Sequence, residues 1–383
     1  MEIDRLKNTM LLGNMPFYWR IKADAKSLHH TLPSRMEYTF EYVPSLDLIQ
    51  SLQTPELKST LEVMYRQDSN IGFLKDGHTL ASSYGGDFLD CLNRYLEKYP
   101  IKSILEIGCG GCLLLDDLQK RNYDVQGIDP SPVAGRAGRK KGVKVIQDFF
   151  PSEKIQKKVD LIFHVDVFEH VPDPVNFLSQ QAKLLKQNGL VIINVPDCTD
   201  TIRSGDISIA QHQHVNSFDV SSLARVIEAT GLNVIDIEKS RFGGSLYGVA
   251  TNGNIEKPYV KPDKKYGHLF FEISASNFKK FKKTISDSIQ QKNSIGFYMP
   301  LRVIPYLSAM DMFEGFRLFD DIAHWHKGFI DGLDVPIENF DNLKANPVDD
   351  LFIMSFTFGE KLKAKINKQI PKVNVHTIEE ILS

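Results

Sequence analysis

The chain has 383 residues, 42% hydrophobic and 25% charged, which excludes wholesale disorder and predicts two or three domains. Lys plus Arg (46) nearly balance Asp plus Glu (48), so no bulk positive charge points to nucleic acid or an anionic membrane. Four cysteines cannot staple a chain of this length, and no apolar run reaches the ~18 residues of a membrane span. The start, MEIDRLKNTMLLGNMPFYW, lacks a long apolar stretch and a small-residue cleavage site, so no signal peptide is expected. These features predict a cytoplasmic protein in a reducing compartment.

Residues 1–83 mix aromatic and Met-rich pieces with polar turns. Examples are Met15-Pro16-Phe17-Tyr18-Trp19 and Tyr38-Thr39-Phe40-Glu41-Tyr42. Alternation over 39–43 suits a short strand. This region is expected to cover the substrate side of the next domain. Phe88, Leu89, Leu92, Tyr95 and Leu96 repeat with helical spacing over 85–99, and Pro100 stops that helix.

From 101 to 250, apolar strand-like runs alternate with helix-like stretches. Strands are predicted over 102–107, 124–128, 143–147, 159–165, 189–195 and 233–238. Helices are predicted over 113–121, 176–186 and 221–230. The runs VDLIFHV and GLVIINV are continuous, as expected of strands buried on both faces. The apolar stretch 245–251 reads as an edge strand. Such β-α alternation predicts an α/β domain over 84–252, a doubly wound, mainly parallel, Rossmann-like sheet. Residues 253–267, rich in Lys and Pro, read as a linker. Residues 268–383 then form a second, C-terminal α/β domain, with a helix over 269–292 and strands over 294–298, 316–319 and 350–356. The basic run Lys279, Lys280, Lys282, Lys283 reads as a solvated helix face.

The chemistry is expected at Glu106-Ile107-Gly108-Cys109-Gly110, where a strand runs through an acid into a Gly-rich turn. Gly108 and Gly110 let the backbone approach a ligand closely, at the carboxyl edge of the sheet where ligands sit. A dinucleotide fingerprint would place a third glycine where Leu113 stands, and no G-K-[S/T] follows for a P-loop. Glu106 would also repel a pyrophosphate; it suits a cationic ligand with an amino acid group. Asp129 ends the next strand, where a carboxylate can accept both hydroxyls of a ribose. Asp148 and Asp166 follow the third and fourth strands, so successive strand ends present polar groups to one edge.

In this order and spacing the region resembles the class I S-adenosylmethionine-dependent methyltransferases. The resemblance covers about residues 84–250, through Glu106/Gly108/Gly110, Asp129-Pro130, Asp148-Phe149, Val165-Asp166-Val167-Phe168-Glu169-His170 and Leu185-Lys186-Gln187-Asn188-Gly189. It implies S-adenosyl-L-methionine as cofactor. Glu106 and the glycines would border its methionine part, Asp129 would bind its ribose, and Asp148-Phe149 would flank its adenine. Asp166 to His170 would line the methyl-transfer side. Cys112 stands where many members carry a third Gly.

A narrower resemblance, to the nucleotide-sugar C-methyltransferases, covers most of the chain. It rests on the N-terminal region, on Gln211-His212-Gln213-His214-Val215-Asn216-Ser217-Phe218 after the fifth strand, and on a C-terminal α/β domain. That domain carries Asp320-Asp321, Lys327-Gly328, Leu333-Asp334-Val335-Pro336-Ile337 and the stretch Asp349 to Phe358 through Thr357. The family's Tyr-His-Glu-His is here Gln-His-Gln-His. Its four-Cys zinc lobe has no counterpart, since no Cys precedes Cys91. The resemblance implies a small polar acceptor, a nucleotide-linked sugar methylated on carbon or oxygen.

His214 suits the role of general base, because His titrates near neutral pH; His212 and Gln213 would orient the ring or substrate. Tyr65 and Tyr84 precede the sheet and are expected to fold over the pocket. No metal site is expected: His212-x-His214 would need a third ligand from His170 or Asp166, and Cys109-x-x-Cys112 lacks the remaining two ligands of a zinc site. Two other readings stay open. The fold and Asp129 alone permit an NAD-dependent oxidoreductase, and the altered His segment permits a non-catalytic protein that kept the fold.

Overall fold

The computed structural model describes residues 1–17, 21–22, 32–67, 79–262, 265–356 and 358–383. Tyr18, Trp19 and Thr357, named above, lie outside the described residues. The chain divides into two compact units, and the division differs from the sequence-based one. Residues 1–83 are not a body of their own. Met1–Tyr42 groups with Thr201–His212 and Tyr266–Ser383 in a terminal unit. Val43–Asp200 and Gln213–Lys265 make a central unit.

The central unit is built on seven strands: β1 (Ser103–Ile107), β2 (Asp124–Ile128), β3 (Lys144–Ile146), β4 (Val159–Val165), β5 (Leu185–Pro196), β6 (Asn233–Lys239) and β7 (Ser245–Thr251). Their order is β3-β2-β1-β4-β5-β7-β6. β1 to β5 pair in parallel, and β7 runs antiparallel to both β5 and β6. Residues 245–251 are therefore not an edge strand. Every residue of β7 is buried, as its inner position requires, whereas β6 at the border keeps exposed ends.

Alternate residues of the parallel strands feed two apolar layers. Leu105, Ile162, Val191 and Ile193 face helices Pro174–Leu184 and Val220–Ala229 through Phe177, Leu178, Leu223 and Ile227. Ile104, Leu161, Phe163, Leu190 and Ile192 face helices Thr79–Lys98 and Leu113–Lys120 through Phe88, Leu92, Leu115 and Leu118. Helices on both faces make this the doubly wound α/β architecture expected. A further helix, Pro132–Lys141, carries no apolar repeat in its sequence. It is fixed at its ends: Ser131 accepts the Val133 N–H, Pro132 takes the first turn, and Gly142 closes in the left-handed region. It then lies so close to β3 that a Cβ on Gly138 would sit 2.8 Å from the Val143 carbonyl oxygen.

The terminal unit carries a second, all-parallel sheet in the order Ile337–Glu338, Phe316–Phe319, Ile295–Tyr298, Asp350–Ile353, Asn374–Thr377. The three inner strands are the apolar runs read from the sequence. Of the outer two, Ile337–Glu338 is only two residues long and Asn374–Thr377 is mostly polar, which hides them. Glu2–Asp4, Thr9–Pro16 and Arg35–Val43 pair antiparallel. In helix Gly267–Gln290, Phe270, Phe278, Phe281 and Ile285 are buried while Lys279, Lys280, Lys282 and Lys283 are exposed, so the basic run is a solvated face. No described helix is long and apolar enough to cross a membrane.

Candidate active site

The carboxyl ends of β1, β2, β4 and β5 position the site. Glu106, near the end of β1, is 3% exposed, and its Oε2 has no hydrogen-bond partner. Burial first, then Cys112 and Asp129, raise its pKa well above the ordinary carboxylate value. Gly108 follows with φ +74°, its N–H donating to the Ile128 carbonyl at 2.8 Å. Gly110 has φ +42°, and its N–H donates to Asp129 Oδ2 at 3.0 Å. The Ser131 N–H donates to the other Asp129 oxygen at 2.8 Å. Asp129 thus braces the turn with both oxygens, and each oxygen keeps a lone pair for a ligand hydroxyl.

Cys112 adopts φ 54°, ψ 33°, the left-handed conformation that glycine takes most easily, so it occupies the conformation of a glycine with a side chain added. Its Sγ lies 3.9 Å from Cys109 Sγ, and both are buried. Cys109 Sγ fills the space a side chain at position 127 would need, 2.5 Å from a Cβ built on Gly127. The two cysteines pack the loop.

Asp148 is more engaged than its expected adenine-flanking role requires. It accepts from the Phe149 N–H and Ser152 Oγ and pairs with Lys154 Nζ at 3.0 Å, and these contacts, Lys154 first, lower its pKa. The neighbouring Phe149 ring carries the Arg66 guanidinium 4.7 Å from its centroid. Pro130, half-buried, separates Asp129 from the helix cap Ser131.

Past β4, Asp166 takes φ +52° and accepts a 2.7 Å hydrogen bond from the Tyr84 hydroxyl. That hydroxyl also lies 3.2 Å from Asn194 Oδ1 on β5. Burial pushes the Asp166 carboxyl up to about 6 against the Tyr84 bond, which pulls it down. Val167 lies directly over Gly108. Tyr84 thus joins the site, as its position before the sheet suggested.

The turn Phe168–His170, expected to line the methyl-transfer side, carries a cluster of polar side chains. Glu169 is 2% exposed and its Oε2 has no partner. His170 Nδ1 lies 2.7 Å from the Gln213 carbonyl and 3.0 Å from the Tyr65 hydroxyl, and its Nε2 faces Glu169 Oε1 at 3.6 Å. Burial lowers the His170 pKa to about 4, so the ring is neutral. The His214 ring sits edge-on to it, centroids 5.0 Å apart. Asn216 clamps the turn, donating to the Phe168 and Val171 carbonyls at 3.1 and 2.8 Å while accepting from Gln50. No sequence signal marked Asn216 as a clamp.

His212 is placed differently from His214. It belongs to the terminal unit, its ring between Phe17 and Tyr38 and its Nε2 3.1 Å from the Met36 carbonyl. Burial holds it neutral, with a pKa near about 4. This is a packed ring held against a backbone carbonyl. Gln213, 3% exposed, contributes its backbone carbonyl to His170, and its side-chain Nε2 has no partner.

Residues 80–237 match the profile of a methyltransferase domain family. The match covers the β1–β6 part of the central sheet and leaves the rest of the chain outside it. Over 152 residues the chain is 29% identical to a ubiquinone biosynthesis O-methyltransferase of Azorhizobium caulinodans, which covers 38% of this chain and 56% of the relative. It is 25% identical over 150 residues to the C-methyltransferase NovU of Streptomyces niveus, covering 37% and 36%. The chain thus spans about half or less of the length of these relatives. A solved Burkholderia thailandensis 1,6-didemethyltoxoflavin-N1-methyltransferase, holding S-adenosylhomocysteine, superposes with a TM-score of 0.40 and 14% identity, over 57% of this chain and 96% of that one.

The matched segment fits S-adenosylmethionine as its cofactor. Gly108 leaves no room for a side chain where the backbone turns. The orphan oxygen of Glu106 is an acceptor for a donor on a cationic ligand, and Asp129 keeps acceptor capacity for two hydroxyls.

Proposed function

We propose that this chain transfers a methyl group from S-adenosylmethionine to a small polar acceptor, a nucleotide-linked sugar, at carbon or oxygen. The observation that carries the reading is the loop Glu106–Asp129: a buried acid with a free oxygen, a glycine turn at positive φ, and a carboxylate braced at the end of β2. The relatives' names support transfer to oxygen in one case and carbon in the other. The resemblance of the Gln211–Phe218 segment and the C-terminal domain to nucleotide-sugar C-methyltransferases supports the acceptor class.

The cofactor supplies a methyl already activated by its positive sulfur. The chain's residues then align and protect. Asp129 accepts the ribose hydroxyls, with Pro130 fixing the turn behind it. Glu106 meets the amino acid end beside Gly108 and Gly110. Asp148 and Phe149 border the adenine. Asp166 and Val167 border the methyl-transfer side, held by Tyr84. His214 accepts the proton that leaves the acceptor, and Gln213 positions it. Holding donor and acceptor near attack distance supplies ~7–11 kcal/mol of the barrier.

Calorimetric titration of the full chain with S-adenosylhomocysteine tests this, with NAD as control. The reading expects micromolar binding of the former, lost in Asp129→Ala, and methylation of a nucleotide-sugar reduced about 100-fold or more in His214→Ala. Binding of NAD alone would replace it with an oxidoreductase. Silence toward both ligands would leave a non-catalytic domain.

A further inference from the structure

We propose that Glu169, His170 and His214 bind one divalent first-row transition ion, with zinc(II) as the best-fitting ion. The three residues each offer one ligand atom, and these atoms all lie within 4.8 Å of one another. Two imidazoles and one carboxylate are a donor set used by open, three-ligand zinc sites and by 2-His-1-carboxylate iron sites. Donors arranged tetrahedrally at about 2.0–2.2 Å from an ion stand about 3.3–3.6 Å apart, so the His170–Glu169 separation of 3.6 Å already suits the set and a small rotation of His214 closes it.

Two further observations distinguish this cluster from a chance meeting of polar groups. The first is the orientation of His170. The Gln213 carbonyl at 2.7 Å can only accept, so Nδ1 carries the proton and Nε2 presents its lone pair. That bare Nε2 is the atom facing Glu169. Metal-bound histidines are oriented in this way, through the second ring nitrogen to a carbonyl or carboxylate. The second is Glu169 itself. Its Oε2 is buried without a partner, at the end of a turn that Asn216 holds in place. A buried carboxylate oxygen left without a partner is costly, and a cation satisfies it.

Among the described residues this is the group of His, Cys, Asp and Glu side chains with metal-binding spacing. The three protein ligands leave coordination positions open to water or to an acceptor oxygen. With the ion bound, His214 is a ligand and not a base; the ion then lowers the pKa of a bound hydroxyl in its place. The proposal changes only the part His214 plays in the methyl-transfer reading, and binding of the ion is measured without any methyl donor.

The full chain, dialysed against EDTA, is titrated with zinc chloride by calorimetry and with cobalt(II) chloride by visible absorption. The proposal expects one ion per chain, micromolar or tighter for zinc, and d–d bands for cobalt. Glu169→Gln and His214→Ala should each weaken zinc binding about tenfold or more while circular dichroism stays unchanged. His268→Ala, on an exposed helix start, should bind as the unsubstituted chain does. Absence of binding at about millimolar ion by a folded chain overturns the proposal. Binding that both ligand variants retain overturns it equally, since the ion would then sit elsewhere. A titration with S-adenosylhomocysteine is run separately, and its failure bears only on the cofactor.

Discussion

Val167 closes directly over Gly108. A Cβ on Gly108 would lie 2.4 Å from Val167 Cγ2, and the residue already holds φ +74°. The end of β4 and the turn after β1 are therefore fitted to each other through the absence of one side chain. Gly110, also at positive φ, has open space around its missing Cβ. Gly108→Ala must move Val167 and adopt a left-handed backbone, whereas Gly110→Ala meets only the backbone term, ~1–2 kcal/mol. The expected outcome is a loss of S-adenosylhomocysteine affinity of about 100-fold or more for Gly108→Ala and about tenfold for Gly110→Ala, read by calorimetry. Equal losses would show that the Val167 contact does not shape the site.

Asp166 makes stability depend on pH. Its folded pKa, about 6, is above the ordinary 3.8 because burial penalises the charge. Below the lower value the group is protonated folded and unfolded, so it contributes no slope. As pH rises between the two values, only the unfolded chain releases the proton, and stability falls by up to about 3 kcal/mol. Asp166→Asn keeps a residue suited to φ +52° and removes the charge. Urea unfolding from pH 4 to 7 should show a shallower decline in that variant. Tyr84→Phe removes the bond that favours the ionised form, so its decline should extend to higher pH than in the unsubstituted chain.

Asn216 is the pin of the turn that carries Glu169 and His170. Asn216→Ala leaves the Phe168 and Val171 carbonyls and the Gln50 amide without these partners. Each buried group left unmade costs ~1–3 kcal/mol, so with three such groups the substitution should destabilise the central unit by about 3 kcal/mol or more, read as a lower urea midpoint. A change under about 0.5 kcal/mol would mean that water replaces the amide.

These cases separate what the sequence announces from what only the fold assembles. β4 and β5 are legible because strands covered on both faces must be apolar throughout. Glu106, the glycines and Asp129 are legible because they are local: strand, turn and strand end within one β-α-β stretch. The neighbour of a strand is not local. Ser245–Thr251 reads equally well at an edge or inside, and only its insertion between β5 and β6 decides. Asn216 reaches its carbonyl partners across 48 and 45 residues, and Tyr84 reaches Asp166 across 82. The two histidines at 212 and 214 look like one motif, yet His212 packs against Phe17 and Tyr38 while His214 faces His170. Glu169 and His170 stood in plain view, but their meaning depends on His214, which no spacing rule connects to them.

The cysteine loop offers a test by paired substitution. A Cβ on Gly127 would meet Cys109 Sγ at 2.5 Å and Leu115 Cδ1 at 3.0 Å. Gly127→Ala should therefore overpack the turn and cost ~1–3 kcal/mol. Cys109→Ala removes the sulfur that fills that space and leaves a small cavity, which is destabilising by itself. In the double variant the new methyl occupies room the sulfur vacated. The two effects should then fail to add, with a coupling of about 0.5–3 kcal/mol in the stabilising direction, measured from four urea curves. Leu115 Cδ1 and the retained Cβ of residue 109, each 3.0 Å away, still press on the new methyl, so the double variant should remain less stable than the unsubstituted chain. Simple additivity would mean that the sulfur does not set the spacing between the cofactor turn and β2.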